Sequence, residues 1–342
     1  MEPGYFDRLF FYILEELSSN NAGATCNSLD GHTLVALDGT EYYCSKNVSC
    51  ERCSTRERSN GDIEYFHRFL SATVVSATSQ AVFSLPPEFI VAQDGDQKQD
   101  CEQKAVKRWL ARMLPQCQKL NPVFLGDDLF SKHDVCAQIL EAGHHFLFTC
   151  KDTSHKILAE FRKGLMPSRH IEVKGTGKQW REYRYSWIED LPIRDGKDAL
   201  AVNWLNVEIV NKSGKVTYHS SFITSLLPTR DNISLLIASA RARWKIENET
   251  FNVLKNNGYH LEHNFGHGQQ FLSSVFVTLN LLAFTMHNAC DVMESLWKQA
   301  RAIVGARNRL FNHLWTLTTY HVFVTWQALL TTIITGRPPP SR

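Results

Sequence analysis

The sequence predicts an α/β fold with a mixed sheet, and three observations predict it. Short apolar segments at residues 33–37 and 122–125 each run almost directly into an acidic residue. From residue 100 onward, segments with the 3.6-residue periodicity of helices alternate with the apolar segments. Residues 160–230 break this alternation and read as short strands separated by glycine-containing turns. We therefore expect one layered core with a β-rich insertion.

The elements of this core follow in order along the chain. Residues 4–17 predict a short amphipathic helix, and the strand at 33–37 carries directly into Asp38. An antiparallel meander is predicted from strands at 63–69, 73–77 and 81–85. The remaining elements are a helix at 100–113, a strand at 122–125 followed by Asp127 and Asp128, a helix at 134–142 and a strand at 145–150. This order is typical of an RNase H-like (retroviral integrase-like) core.

The β-rich insertion lies between Asp127 and a later helix. Its strands are predicted at residues 171–173, 182–187, 201–210 and 216–218. Residues 235–256 form the longest predicted helix, and Gly258 is placed to cap its C-terminus. That helix carries Arg243 and Glu247, which are one turn apart and share a face.

Charge is unevenly distributed along the chain. The formal net charge of the 342 residues is +2. Residues 241–342 hold ten Lys and Arg against five Asp and Glu, a net charge of +5, so residues 1–240 carry −3. The last third is therefore the place where we expect a polyanion to bind.

The cysteines and the apolar runs bear on location. Nine cysteines at irregular spacing, with no basic-then-apolar N-terminal segment, predict a reducing, cytoplasmic environment. Uncharged runs at residues 271–290 and near 310–336 are long enough to span a bilayer, but several polar side chains interrupt both. We expect buried core helices there and no membrane partner.

Three acids are candidate metal ligands: Asp38, Asp127 and Glu247. Cleavage and transfer of phosphodiesters use two divalent cations about 3.5–4 Å apart. Mg²⁺, which Mn²⁺ could replace, binds carboxylates while keeping several waters, so three acids suffice. Asp38 would bridge both ions, and Asp127 and Glu247 would each complete one coordination shell. Arg243 would face the scissile phosphate.

Each acid also has a purely structural alternative. Asp38 precedes a glycine and is compatible with a turn. Either Asp127 or its neighbour Asp128 could cap the following turn. Glu247 and Arg243 could form a helix-surface ion pair worth only ~0.3–0.5 kcal/mol. The metal hypothesis depends on the three acids occurring together in the order strand, strand, helix.

The segments around these acids resemble the DDE transposases of bacterial insertion sequences, in the insertion sequence 4 group. Leu37-Asp38-Gly39-Thr40 is similar to the strand with the group's first Asp, and Leu125-Gly126-Asp127-Asp128-Leu129-Phe130 to the strand with its second. Arg243-Trp244-Lys245-Ile246-Glu247, followed by Phe251 and Leu254-Lys255, resembles the signature of Tyr, Arg, Glu and Lys. Residues 244–268 resemble a particular subset of these transposases. The likeness covers nearly the whole chain, including the insertion.

The chain departs from the family pattern at three positions. Ala240 stands where the signature has Tyr, and Leu129 where a Gly is usual. Leu254 occupies the signature's Lys position, seven residues after Glu247, and Lys255 follows one later. In an ideal α-helix Lys255 would be rotated about 80° from the face of Glu247.

The resemblance implies an organisation in four parts. Relatives carry a helical N-terminal region that recognises transposon ends, so we expect residues 1–30 to be its remnant in a truncated copy. Residues 31–158 would be the first part of the RNase H-like core, 159–230 the β-rich insertion, and 231–342 the second part of the core with C-terminal helices.

The resemblance also implies an activity and partners. The implied enzyme is a transposase that cleaves a DNA strand at transposon ends and joins it to target DNA in a Mg²⁺-dependent phosphoryl transfer. Its partner would be double-stranded DNA, comprising the inverted repeats and the target, and it would act as a homodimer on DNA. The alternative is a truncated, inactive DNA-binding or dimerising remnant.

Several side chains are candidates for contacts with DNA: Arg243, Lys255, Lys245, His263 and Trp187. Trp187 could stack on an unpaired base at a transposon end. His263 belongs to a loop cluster with His260 and His267, for which solvated histidines are the alternative.

Cys50 and Cys53 have the two-residue gap of a zinc knuckle, with Cys44 before them and His67 after. A structural Zn²⁺ is therefore a second metal hypothesis. Because a second pair of this spacing is absent from the sequence, free thiols in a hairpin loop are the alternative.

Overall fold

The computed structural model describes residues 2–20, 27–29, 31–91, 101–264, 266 and 270–337. Within them, twelve strands form one sheet: β1 (Asn27–Leu29), β2 (His32–Ser45), β3 (Ser54–Glu57), β4 (Ile63–Val75), β5 (Phe83–Ser84), β6 (Glu88–Ile90), β7 (Pro122–Gly126), β8 (His145–Thr149), β9 (Ser168–Lys174), β10 (Arg181–Pro192), β11 (Ala201–Asn211) and β12 (Val216–Thr224). The α-helices of the same residues are α1 (Asp7–Ser19), α2 (Glu102–Cys117), α3 (His133–Glu141), α4 (Lys156–Arg162), α5 (Ile233–Arg241), α6 (Asn252–Asn256), α7 (Leu272–Met293), α8 (Ser295–Val304), α9 (Arg307–Tyr320) and α10 (Trp326–Thr335). The predicted α/β class is confirmed.

The sheet is mixed, with strand order β3-β4-β2-β7-β8-β12-β11-β10-β9. Strand β4 is antiparallel to β2, and β5 and β6 pair antiparallel with β4. Strands β7 and β8 are parallel to β2 and to each other. Helix α2 connects β6 to β7, and α3 connects β7 to β8. Strand β7 is buried along its whole length, as expected of a central parallel strand covered on both faces.

Helices cover both faces of this sheet. Side chains of β2 alternate between two apolar clusters: Val35 and Leu37 pack in the cluster that contains Trp109 of α2, whereas Leu34 and Ala36 pack in the cluster that contains α5. The two-residue period of a strand explains this division, because successive side chains point to opposite faces. Strand β2 is therefore fixed from both sides.

Two strands are longer than the sequence predicted. Strand β2 continues past Asp38 to Ser45, so Asp38 lies inside the strand and does not end it. The predicted strands at 63–69 and 73–77 are one continuous strand, β4. The meander is wrong at this point because β4 stays paired with β2 through residues 70–72, and the buried hydroxyls of Ser71 and Thr73 hydrogen-bond to each other at 3.3 Å.

The predicted insertion is β-rich, and its strands extend the main sheet. Strand β12 pairs antiparallel with β8, joining Phe222 to Thr149 and Thr224 to Leu147. Strands β11, β10 and β9 then follow as an antiparallel ladder. The division into units at 1–30, 31–158, 159–230 and 231–342 stays a prediction.

The two uncharged runs differ in structure. Helix α7 is long and apolar enough to cross a membrane by length and composition, and 39% of its most apolar window is buried in the protein. Its Asn288 donates to the Val82 carbonyl at 2.7 Å, and Thr285 exchanges hydrogen bonds with the backbone of Ser84. The second run is divided between α9 and α10.

Gly126 provides a test of the packing at the end of β7. A β-carbon there would lie 2.9 Å from the Phe130 ring and 3.1 Å from the Phe148 ring, both buried. We expect Gly126→Ala to destabilise the protein by about 1–3 kcal/mol through overpacking. Urea unfolding measures the change, with Gly4→Ala as control because its nearest atom would be 3.8 Å away. Equal midpoints for the two variants would contradict this packing.

Candidate active site

The sheet brings Asp38 and Asp127 together. In the parallel pairing of β2 with β7, Ala36 lies opposite Leu125. Continuing that register by two residues places Asp127, the first residue after β7, beside Asp38. Two of the three predicted acids are therefore neighbours, one on β2 and one at the end of the adjacent parallel strand β7.

The third acid reaches the same region through Arg243. One guanidinium nitrogen of Arg243, Nη1, lies 2.8 Å from Oε1 of Glu247 and 3.6 Å from Oδ2 of Asp38. Glu247 keeps 52% of its side chain exposed, against 19% for Asp38. The Arg243–Glu247 pair is therefore more than an isolated helix-surface ion pair, since the same cation also faces a largely buried carboxylate of the sheet.

Burial makes Asp38 an unusual carboxyl group. Desolvation raises its pKa to about 7, although the positive charge of Arg243 and a hydrogen bond from the Gly39 amide at 2.9 Å both lower it. The negative charges of Glu247 and Glu102 add to the increase. A carboxyl group whose pKa is raised to about 7 by burial among other acids is typical of a functional site.

Glu102 is a fourth acid in this region, and the sequence analysis did not identify it. It is the first residue of α2, and a β-carbon on Gly39 would lie 2.3 Å from its Oε1. Burial and the charge of Asp127 raise the pKa of Glu102, and Arg68, at 4.0 Å, opposes them. An acid at a helix N-terminus is usually explained by the helix dipole, so only the fold shows that Glu102 lies over β2.

The neighbouring acids Asp127 and Asp128 have different roles. Asp128 accepts the Lys151 amide at 2.6 Å through Oδ1 and the Ser154 hydroxyl through Oδ2, which fixes the loop after β8. Asp127 accepts the Leu129 amide at 2.8 Å, an Asx turn. Asp127 is thus the acid that caps the following turn, and its charge also acts on Glu102, whereas Asp128 holds the loop after β8.

The carboxylates are not drawn together to metal-ligand distances. Among the described residues, the group of three or more ligand atoms that all lie within 4.8 Å of one another is Cys50, Cys53 and His67. In the acidic region, the guanidinium of Arg243 stands as the cation between Asp38 and Glu247.

The helix that carries Glu247 is irregular. The predicted helix at 235–256 is divided into α5, a π-helical turn at Ile246–Phe251 and α6. In the π-helical turn, the Asn252 amide donates to the Glu247 carbonyl, five residues earlier. A π-turn absorbs about one residue, so the offset of Lys255 from the face of Glu247 falls from about 80° to about 20°. Lys255 stands one residue later than the Lys of the transposase signature, and the π-helical turn compensates for that displacement.

Two predicted DNA contacts are buried. Lys245 is 5% exposed, and its ammonium group donates to the carbonyls of Ser76 and Ser79 at 2.6 and 2.5 Å. Trp187 is 6% exposed and packs in the apolar cluster of the β-rich strands. Each side chain lies on the face of its helix or strand that packs against the core, which argues against the predicted contacts with DNA.

The other predicted DNA contacts, Arg243, Lys255 and His263, are at least partly exposed. Lys255 pairs with Glu262 at 2.8 Å, and His263 is exposed. Ala240, which stands at the signature Tyr position, is buried in the apolar cluster that contains α5. His267 lies outside the described residues.

The two lysines can be distinguished experimentally. Lys245→Met would leave two buried carbonyls without their donor, so we expect a loss of about 1–3 kcal/mol in stability. Lys255→Met should leave stability nearly unchanged and weaken DNA binding. Urea unfolding and a gel shift measure the two effects. A loss of DNA affinity in a fully stable Lys245→Met variant would contradict the buried role.

The raised pKa of Asp38 predicts a pH dependence of stability. The folded-state pKa, about 7, lies above the ordinary 3.8, so the folded protein binds this proton more tightly than the unfolded chain does. Its contribution is fully present at pH below about 4 and is lost as the pH rises through about 7. Wild type should therefore lose stability relative to Asp38→Asn over this range, by on the order of a few kcal/mol.

The measurement is urea unfolding of both proteins at several pH values. Asp134→Asn is the control, because Lys107 holds the pKa of that exposed carboxyl below its ordinary value and the sign is opposite. Parallel pH profiles for wild type and Asp38→Asn would contradict the raised pKa.

Comparison with known proteins does not identify a relative. No family model matches the chain, and no curated protein sequence matches it. The function proposed for this site rests on its residues, on their geometry and on the resemblance of its motifs.

Proposed function

We propose that this chain is a transposase that cleaves DNA at transposon ends and transfers the freed strand to target DNA by two-metal phosphoryl transfer. The observation that carries the proposal is the placement of Asp38 on β2 and of Asp127 directly after the parallel strand β7, opposite a helix that supplies Arg243 and Glu247. The order strand-acid, strand-acid, helix-acid is also the pattern in which these motifs resemble the DDE transposases.

The sheet topology supports an RNase H-like core. Strand β2 has an antiparallel neighbour, β4, on one side and the parallel strands β7 and β8 on the other. Strands β5 and β6 occupy the next antiparallel position of the sheet, beside β4, and α2 and α3 occupy the connections to β7 and β8. Three antiparallel strand positions followed by two parallel ones agree with the order expected of that fold.

The donor set fits Mg²⁺, with Mn²⁺ as a substitute. Asp38, Asp127 and Glu247 offer carboxylate oxygens, the ligands that Mg²⁺ prefers. The mutual repulsion of the acids and the raised pKa of Asp38 support the binding of an added cation in this region. Glu247 is half exposed, so its side chain could turn toward the other two acids by giving up its ion pair with Arg243. When bound, the metal ions would activate the attacking oxygen and stabilise the leaving oxygen.

The remaining residues bind and orient the DNA. Arg243 touches both Asp38 and Glu247 and would donate to a phosphate oxygen next to them. The π-helical turn places Lys255 on the same side of the helix as Glu247, where it would contact the DNA backbone further along the strand. Glu102, which packs over Gly39, repels Asp38 and Asp127 and adds to the negative charge that a bound cation would neutralise. The partners are double-stranded DNA and, by resemblance, a second copy of this chain on that DNA.

Conservative substitutions test the three acids. We expect Asp38→Asn, Asp127→Asn and Glu247→Gln each to lower Mg²⁺-dependent nicking by at least about 100-fold, the scale of removing one group that stabilises a transition state. The substrate is DNA that carries the sequences flanking the gene. Circular dichroism and a gel shift with the same DNA show whether folding and binding persist.

The matched control is Glu249→Gln, two residues from Glu247 on the same helix. It should retain nicking, since no hydrogen bond or ion pair joins Glu249 to Asp38, Asp127 or Arg243. Full activity in Glu247→Gln would contradict the proposal. Cutting that ignores the end sequence would instead identify a nuclease without end recognition, and end binding without cutting would identify an inactive DNA-binding protein.

A further inference from the structure

A second group of ligand atoms lies apart from the acids, in the loop between β2 and β3. The sulfurs of Cys50 and Cys53 are 3.7 Å apart, and each lies 3.4 Å from Nε2 of His67. A tetrahedral Zn²⁺ with ordinary bond lengths would hold two sulfurs about 3.8 Å apart and a sulfur and a nitrogen about 3.6 Å apart. The three atoms are therefore already spaced as the corners of a zinc site.

The backbone of the loop holds the two sulfurs in this arrangement. The Cys53 amide donates to the Cys50 carbonyl at 3.0 Å, which closes a tight turn. The Cys50 amide donates to the Cys53 sulfur at 3.3 Å. An amide that points at a sulfur stabilises negative charge there, and thiolates are the form in which cysteine binds metals.

The histidine is held in place from a different element. His67 lies on β4 and is 4% exposed, and its ring stacks on Tyr42 with the centroids 5.6 Å apart. The centroid of the Tyr43 ring lies 5.7 Å from that of the His67 ring. A ring fixed in this way directs Nε2 toward the two sulfurs without the loss of side-chain entropy that a mobile ligand would incur.

The other nearby cysteine does not take part. Cys44 is exposed, and its sulfur lies 3.7 Å from a Glu64 oxygen and 3.6 Å from an Arg56 nitrogen. The distance of 3.7 Å between the Cys50 and Cys53 sulfurs also shows two free thiols. Only Cys50 and Cys53, of the described cysteines, thus converge on a histidine within metal-binding distance.

We propose that Cys50, Cys53 and His67 bind one Zn²⁺, independently of the acidic site. Thiolate and imidazole ligands select Zn²⁺ over Mg²⁺, so the two sites would take different metals. No fourth Cys, His, Asp or Glu among the described residues completes the group, which leaves the fourth position to a water or another ligand. The metal would fasten the β2–β3 loop to β4.

The loop also contacts a helix of the C-terminal region. The guanidinium of Arg52, between the two cysteines, lies 4.6 Å from the centre of the Phe271 ring, the residue before α7. A cation over an aromatic face is a favourable contact. A loop fixed by Zn²⁺ would therefore also support the start of α7.

Metal content of the full-length protein tests the site. After purification under reducing conditions with Zn²⁺ present and removal of excess metal, we expect about one zinc per chain, the stoichiometry of a single structural site. Cys53→Ser and His67→Gln should each lower zinc affinity by at least about 100-fold, because loss of a supporting residue alone costs about 10–100-fold. Cys44→Ser is the matched control and should retain zinc.

A spectroscopic measurement keeps the test independent of variant folding. Co²⁺ added to the metal-free wild type should give a thiolate-to-cobalt charge-transfer band, and Zn²⁺ should abolish it. Wild type without zinc and without this band would overturn the proposal. Equal zinc contents in Cys44→Ser and in folded Cys53→Ser would also overturn it, since the metal would then lie elsewhere. None of these results depends on nicking activity, so failure here leaves the proposed function untouched.

Discussion

The parallel pairing of β2 with β7 is the constraint on which the candidate site depends. It places Asp38 inside a strand that is packed on both faces and brings Asp127 beside it. An acid in that position loses much of its hydration, as the pKa of about 7 shows. The surrounding structure compensates only in part, through Arg243 and the Gly39 amide. A strand interior with no function would be more stable with an apolar or hydroxyl side chain at this position.

The helix opposite the sheet is adapted to this acid. Arg243 reaches both Asp38 and Glu247, which requires it to lie one turn before Glu247 on the inner face. Lys245, between them, turns inward and fastens the helix to the loop after β4 through the carbonyls of Ser76 and Ser79. The π-helical turn then returns Lys255 to the face of Glu247. Such turns cost hydrogen-bond geometry and are frequent at functional sites.

The parts of the fold that could be predicted are those with a local signal. Strands β7 and β8 and helix α3 were identified by apolar runs and helical periodicity, and the structure has them within a few residues. The continuation of β2 and β4 could not be predicted from local signals. Pairing between the two strands keeps them extended at residues whose own strand propensity gives no clear preference. Glu102 was missed because its approach to Gly39 depends on how α2 packs over the sheet. Burial of Lys245 and Trp187 likewise depends on which face of each element meets the core.

The central claim is that Asp38 binds a catalytic divalent cation, and exchange of its ligand atom tests that claim most directly. A sulfur ligand binds Mn²⁺ better than Mg²⁺, because Mg²⁺ favours oxygen. Nicking by Asp38→Cys should therefore be lost in Mg²⁺ and restored in part by Mn²⁺, with wild type active in both. Equal activity of Asp38→Cys in the two metals, or none in Mn²⁺ while the variant remains folded and DNA-bound, would contradict the account.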